Sequence, residues 1–403
     1  MYDVVIIGGG IAGLFAAYNI TRFSPSTTFL ILEKERKQKL GGRAGNEMFC
    51  GVEIVTGAGI GRRKKDVLLY RLLKELSLKT SEFTVEPKYS RTIPEISDIP
   101  KIMEELKKQQ TKGKPETFKA LAKRILGQEG YTNFLITSGY TDYENQDAHD
   151  VLYYYGMEDN FSKYKGFHVP WKDLVSKMAD MIGTEHFRFS SNVVALTKTK
   201  SHTFQVLTAE RPTIYHAKKV IVATAISGIR MLLPEYPIYK EIEGQPFLRV
   251  YGKFLEPDIM NRFVKSTTIV PSPLQKIIPM NSEKGVYMIA YSDNHQAEFL
   301  KPHLENTALN RKFFCQLIEK SLGIPEDSLK LLTMKHFYWD IGTHYYKPLT
   351  KYKTRKEFIE KAQHPDKNIM VVGEAVSLQQ GWTEGALESV EKVVRFIQSS
   401  VKD

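Results

Sequence analysis

Three glycines, Gly8, Gly10 and Gly13, stand at the G-x-G-x-x-G spacing. Each has a physical task in such a motif: a tight turn, backbone approach to a pyrophosphate, and close packing of helix on strand. Phosphate would sit on the N-terminus of the following helix, where unpaired N–H groups stabilise negative charge without a basic side chain. Glu33 follows Gly13 by 20 residues, where a carboxylate accepts both hydroxyl protons of a ribose. A glycine-rich turn can be purely structural, and Glu33 opens a charged run, Glu33 to Lys39, that reads equally as a solvated surface. The flanks decide in favour of a dinucleotide, because Tyr2 to Ile7 reads as a buried strand and Ile11 to about Phe23 as a helix.

Nicotinamide and flavin dinucleotides share these features. What separates them is Gly41-Gly42-Arg43, followed by Gly57-Ala58-Gly59, which resembles the flavin-dependent amine oxidase superfamily, a group that includes protoporphyrinogen oxidases and carotenoid desaturases. The resemblance implies that Gly42, Arg43 and Gly59 approach the pyrophosphate and flavin of FAD, although the spacer after Glu33 is slightly longer than is common there. It continues at Val193 and Leu196 and through Ala217 to Thr224, similar to the family's second adenine-side segment, with Val193 on adenine through its backbone. The closest match is C-terminal, in Val372-Gly373-Glu374 and in Gly381 to Ser389. There the resemblance implies that Gly373 and Glu374 lie by the ribityl and phosphate, that the Thr383 N–H points at the flavin N1 and O2 edge, and that Trp382 fills an aromatic-cage position. A helix beginning at Thr383 would also favour the charge of a reduced flavin.

Two departures bear on mechanism. Where many amine oxidases of this family carry a lysine near flavin N5, this sequence has Arg249, which does not readily lose a proton; a solvated strand arginine is the plain alternative. No cysteine lies between Thr333 and Trp382, the region where covalent members tether flavin, so non-covalent FAD is expected. Trp339, Gly342, His344, Tyr345 and Tyr346 form an aromatic stretch. Tyr345 with Trp382 is expected to flank a substrate amine, since aromatic faces attract cations, although core packing explains such residues as well. Tyr153, Tyr154 and Tyr155 are candidates for a substrate path. Ile60 stands where amino-acid oxidases often have an arginine, which counts against α-amino acids as substrates, while nearby Arg62 is a candidate for a carboxylate clamp.

The elements that must hold these residues follow from periodicity. Strand, glycine turn, helix and the strand Phe29 to Glu33 make a βαβ unit, hence a parallel sheet. Val67 to Leu76 and Ile99 to Leu126, around Gly113 and Pro115, have helical spacing, and a helical lobe is expected over about 83–184. Short β-like runs follow at Asn192 to Thr197, Phe204 to Thr208, Thr213 to His216 and Val220 to Ala225. A second set occupies Pro246 to Phe254, Thr267 to Val270, Val286 to Tyr291 and Thr333 to Trp339, interrupted by a helix over Glu305 to Leu322. Strand Ile369 to Val372 and helix Glu384 to Ile397 return the chain to α/β style. The expected architecture is α/β: a doubly wound, Rossmann-like FAD-binding domain from 1–82, 185–244 and 353–403, and an α+β substrate domain with a helical lobe from 83–184 and 245–352.

Composition narrows the rest. The 403 residues are 42% hydrophobic and 26% charged, ordinary for a water-soluble globular chain. Two cysteines cannot build a disulfide framework or a four-thiolate zinc site, and they point to a reducing, cytoplasmic setting; no metal is expected. The formal charge of +11 is dispersed in short clusters (Lys34 to Lys39, Arg62 to Lys65, Lys107 to Lys114) without a nucleic-acid signature, so no nucleic-acid partner is expected. Val4 to Tyr18 is too short and too glycine-rich for the ~18 apolar residues of a membrane span, and no membrane anchor is expected. The resulting expectation is an oxidoreductase taking hydride from a carbon bearing nitrogen, with oxygen or another acceptor reoxidising the flavin. Its rivals are a desaturase or protoporphyrinogen-oxidase-like dehydrogenase, which Arg249 favours, and a flavin-binding protein without turnover.

Overall fold

The computed structural model describes residues 1–111, 114–209 and 212–398. Gly113 and part of the Lys107 to Lys114 cluster therefore lie outside the described residues, as do 399–403.

Val4, Val5, Ile6 and Ile7 are all buried, as a strand covered on both faces requires. Because side chains alternate along a strand, Val4 and Ile6 enter one core layer while Val5 and Ile7 enter another. Tyr2–Ile7 pairs in parallel with Phe29–Leu32 on one side and Ile214–Val222 on the other. The sheet extends through Phe187–Arg188 at one edge and through Phe204–Thr208 and Val193–Lys198 at the other, and Ile369–Val371 joins it beside Ile214–Val222. The runs at 213–216 and 220–225 are one strand rather than two.

One layer over this sheet holds the helices Ile11–Phe23, Val67–Glu75 and Trp171–Ile182. The opposite layer holds Ile226–Leu232 and Arg355–Gln363. Trp171, Leu174, Val175, Met178 and Ile182 share their core with Leu14 and Ala17 of the first helix. Apolar spacing on Trp171–Ile182 thus directs that helix, which lies before the expected boundary at 185, to the core of the first sheet. The remaining lobe is built on Ile99–Gln109, Phe118–Ser138, which kinks at Gly127 (φ +70°), and Ala148–Tyr153. It is not purely helical, since Glu82–Val85 and Tyr164–Phe167 pair as strands.

A second sheet runs in the order Leu331–Tyr346, Ile242–Phe254, Val286–Asp293, Lys276–Asn281, Thr268–Ile269, Lys88–Tyr89. Leu248, Val250 and Ile289 pack beneath it with the helix Ala308–Leu322. Alternation then sends Phe247 and Arg249 to the opposite face, toward the first domain. The expected C-terminal helix is two pieces, Thr383–Glu388 and Val393–Gln398. The Ser389 hydroxyl, which donates to Ala386 O and accepts from Gly373 N–H, marks the interruption. Among the described residues no helix is long and apolar enough to cross a membrane.

Candidate active site

The glycine turn is set by contact. A Cβ on Gly13 would lie 2.0 Å from Gly8 O, and one on Gly8, whose φ is +109°, would lie 2.6 Å from Ala223 O. A Cβ on Gly10 would meet nothing within 4 Å. The first two glycines therefore fit the protein to itself, while the third leaves a face open. Gly10 caps the first helix with no side-chain bond, and no acidic residue lies in the first turn, so its N-terminal N–H groups suit an anion. Glu33, buried, accepts from Gly9 N–H at 2.6 Å and from Glu35 N–H at 2.8 Å; each carboxylate oxygen keeps a lone pair. Val193 opens its strand from the core layer that also holds Ile7 and Leu32. These features fit an ADP moiety.

Gly41-Gly42-Arg43 docks on this turn, with Gly41 N–H donating to Gly9 O and Gly42 at φ +62°. The segment Val55 to Gly59 then fixes Arg43. A Cβ on Gly57 would come within 2.2 Å of Arg43 O, and Ala58 N–H donates to that oxygen at 2.8 Å. The segment is itself held by four side chains aimed at its carbonyls: Tyr251 on Val55 O, Trp339 on Thr56 O, Arg249 on Gly57 O and Trp171 on Gly59 O, all between 2.7 and 2.9 Å. Three of those four come from the second sheet, so the two halves of the molecule meet along this backbone.

At the junction Arg43 donates to Glu374 at 2.9 Å and to Gly342 O at 2.6 Å. Glu374 also accepts from His344 Nδ1 and from Gly381 N–H at 2.8 Å. His344 Nε2 accepts from Ile226 N–H at 3.0 Å, which makes Nδ1 the protonated nitrogen. Burial alone would raise the Glu374 carboxyl; His344, Arg43 and the Gly381 N–H reverse this and hold it well below the usual carboxylate range. Gly373, at φ +126°, would present a Cβ to no atom within 4 Å, so beside Glu374 too the backbone leaves space.

Trp382 precedes the six-residue helix that starts at the buried Thr383. Its ring reaches 4.0 Å from a Cβ placed on Gly59, its Nε1 is buried without a partner, and the Arg62 guanidinium lies 5.5 Å from its centroid. Arg62 is no free clamp, because Asp66 and Asp159 take it at 2.7 and 2.9 Å. Arg249 is buried beside Gly59, with its Nη2 3.3 Å from that same Cβ position. A solvated strand arginine is therefore not what the structure shows.

Tyr345 is not brought into this constellation. It neighbours His344 on one strand and so points to the other face, where its charged neighbours are Glu243 and Arg230. Tyr153 and Tyr154 are on the surface, their rings tilted against that of His149; Tyr155 alone turns inward, donating to Asp142 at 2.5 Å. Sequence reasoning did not give the partners of His344, whose two nitrogens join Glu374 to the start of the helix Ile226–Leu232, and missed Glu384, whose carboxylate accepts from Leu68 and Leu69 N–H. It also missed Tyr291, on the strand beside Arg249, and Lys276, one strand further on. No signal in the chain distinguishes either from an ordinary strand residue. Among the described residues there is no cluster of three or more metal-ligating side chains.

Residues 6–76 match the family described as an NAD(P)-binding Rossmann-like domain. Over its full length the chain has the fold of the flavin-dependent amine oxidases. Cyclohexylamine oxidase from Brevibacterium oxydans superposes with a TM-score of 0.78 at 15% identity, covering all of both chains. A double mutant of putrescine oxidase with redesigned cofactor binding superposes at 0.76 and 16% identity, covering 99% of each. An uncharacterized protein, R188, of Acanthamoeba polyphaga mimivirus is 21% identical over 97% of this chain and 93% of its own length.

Proposed function

We propose that this chain holds FAD non-covalently across the glycine turn and the Arg43–Glu374 junction and oxidises a small amine, with oxygen or another acceptor as the final oxidant. The observation that carries the reading is the junction itself. Segments from the two ends and the middle of the sequence converge at Arg43, Glu374, His344 and Trp382, around backbone that leaves room at Gly10 and Gly373. Bound FAD would supply the hydride-accepting ring. Arg43, the Gly8 to Gly13 turn and Glu33 would hold its phosphate and ribose end, and Thr383 and Trp382 would adjoin the ring. The site offers no proton acceptor at Arg249, whose charge is permanent, nor at His344, both of whose nitrogens are engaged. With neither of these residues taking the amine's proton, oxidation should accelerate as pH rises toward the amine's own pKa.

Spectroscopy of the purified protein tests the reading. It should be yellow, release intact FAD on denaturation, and bleach anaerobically with an amine. Bound FAD that no amine, alcohol or dihydro compound reduces would instead favour a binding protein without turnover. A colourless protein that takes up no FAD would refute the proposal.

A further inference from the structure

Arg249 is only 3% exposed, yet among the described residues no carboxylate lies within ion-pairing distance of it. Its Nε is committed to Gly57 O and its Nη1 touches Met288 Sδ at 3.5 Å. The guanidinium otherwise stacks on Tyr291, 4.2 Å from its centroid, and on Phe247 at 5.3 Å. A buried guanidinium without a counter-ion opposes folding unless something offsets it. Its Nη2 lies 3.3 Å from where a Cβ on Gly59 would stand, beside the Trp382 ring.

A second cationic side chain stands nearby. Lys276 is 4% exposed and, among the described residues, its Nζ makes no hydrogen bond and has no carboxylate within 4.0 Å. Its ammonium lies 3.2 Å from the centroid of Tyr140 and 5.8 Å from that of Tyr291. Burial lowers it to about 7, against the pull of Asp293 and Asp142. Those two carboxylates are occupied elsewhere: Asp293 accepts from the Thr141 N–H and hydroxyl and from Gln275 Nε2, and Asp142 accepts from Tyr155. Arg249 and Tyr291 are register partners on adjacent strands, and Lys276 comes from the next strand over. Two cations thus approach one tyrosine ring on the substrate-side sheet, whereas Arg62 is neutralised by its own aspartates.

We propose that Arg249 and Lys276 form a subsite for a carboxylate carried by the amine substrate, Arg249 offering its Nη2 and the Lys276 side-chain nitrogen a second donor across Tyr291. This rests on the amine-oxidase reading and narrows it to amines bearing a carboxylate.

The test compares butylamine, 1,4-diaminobutane, 4-aminobutyrate and 2-aminobutyrate with the FAD-loaded protein. At least one carboxylate-bearing amine should exceed butylamine and the diamine tenfold or more in kcat/KM. Arg249→Gln should erase that preference through KM, Arg249→Lys should restore part of it, and Lys276→Met should reduce it. In parallel, butyrate should perturb the flavin spectrum of the wild type and not of Arg249→Gln. Should Arg249→Gln fail to fold, Arg249→Lys and Lys276→Met are read the same way, each expected to weaken butyrate binding. Equal or better turnover of butylamine, or butyrate binding unchanged in the variants, overturns the subsite while leaving the oxidase reading in place. If no amine reduces the flavin, the oxidase reading fails and butyrate binding alone decides the subsite.

Discussion

The glycines of the nucleotide turn do two kinds of work, and single substitutions should separate them. Gly13→Ala sets a methyl against Gly8 O and should lower stability by about 1–3 kcal/mol or more, as overpacking does. Gly10→Ala, in extended backbone with open space around it, should leave the melting temperature of the FAD-free protein within error while FAD content collapses. Thermal melts and flavin content on the same preparations check both. A Gly10→Ala protein with full FAD would show the turn to be only structural. Glu374 makes a different kind of prediction. Its folded pKa lies below the ordinary 4.5, so the folded state gives up this proton more readily than the unfolded chain. The stability that results is fully present above about pH 4.5 and is lost progressively as pH falls toward the folded value. Glu374→Gln should cost about 1–3 kcal/mol at pH 7 and flatten the decline in stability below about pH 4.5 in urea titrations; an unchanged slope there would refute the assignment.

At the scale of elements, the helix Val67–Glu75 begins without a side-chain bond from its own Asp66 cap and is capped across the chain by Glu384. Glu384→Ala leaves two N–H groups unpaired, and we expect a loss of about 1–3 kcal/mol in denaturant unfolding with FAD binding weakened only in proportion. What the sequence revealed here follows a physical line. The parallel strands were legible because burial on both faces writes continuous apolar runs such as Val4 to Ile7. The glycine turn was legible because its spacing has few other uses. Leu331–Tyr346 was read seven residues short at its far end, since its alternation is masked by aromatics on both faces and a bulge near Gln245. Tyr345 was misplaced for the same reason, because nothing in the chain says which side of that strand meets the cofactor side. The Arg249, Tyr291 and Lys276 grouping depends on strand order and register, which periodicity does not encode.

Across the whole molecule, the two sheets are joined through the backbone of Val55 to Gly59 and through Arg43, Glu374 and His344. Loss of either half exposes the other's buried polar groups, so the chain should unfold in one transition. FAD at a hundredfold excess over its Kd should raise the unfolding free energy by about 2.7 kcal/mol. Calorimetry with and without FAD checks this, and two separated transitions, only one of them FAD-dependent, would show that the halves are independent.

Because the site draws on Gly8 near one end and on Gly381 to Thr383 near the other, its completion is also ordered in time. At about 5–20 residues per second, roughly 20–70 seconds of translation separate the first glycine from the closing loop. Throughout that interval the nascent chain has the glycine turn without the partners of Arg43. On the proposed reading, cofactor loading follows the synthesis of this closing loop, and a truncated product ending before Glu374 would be made but never loaded.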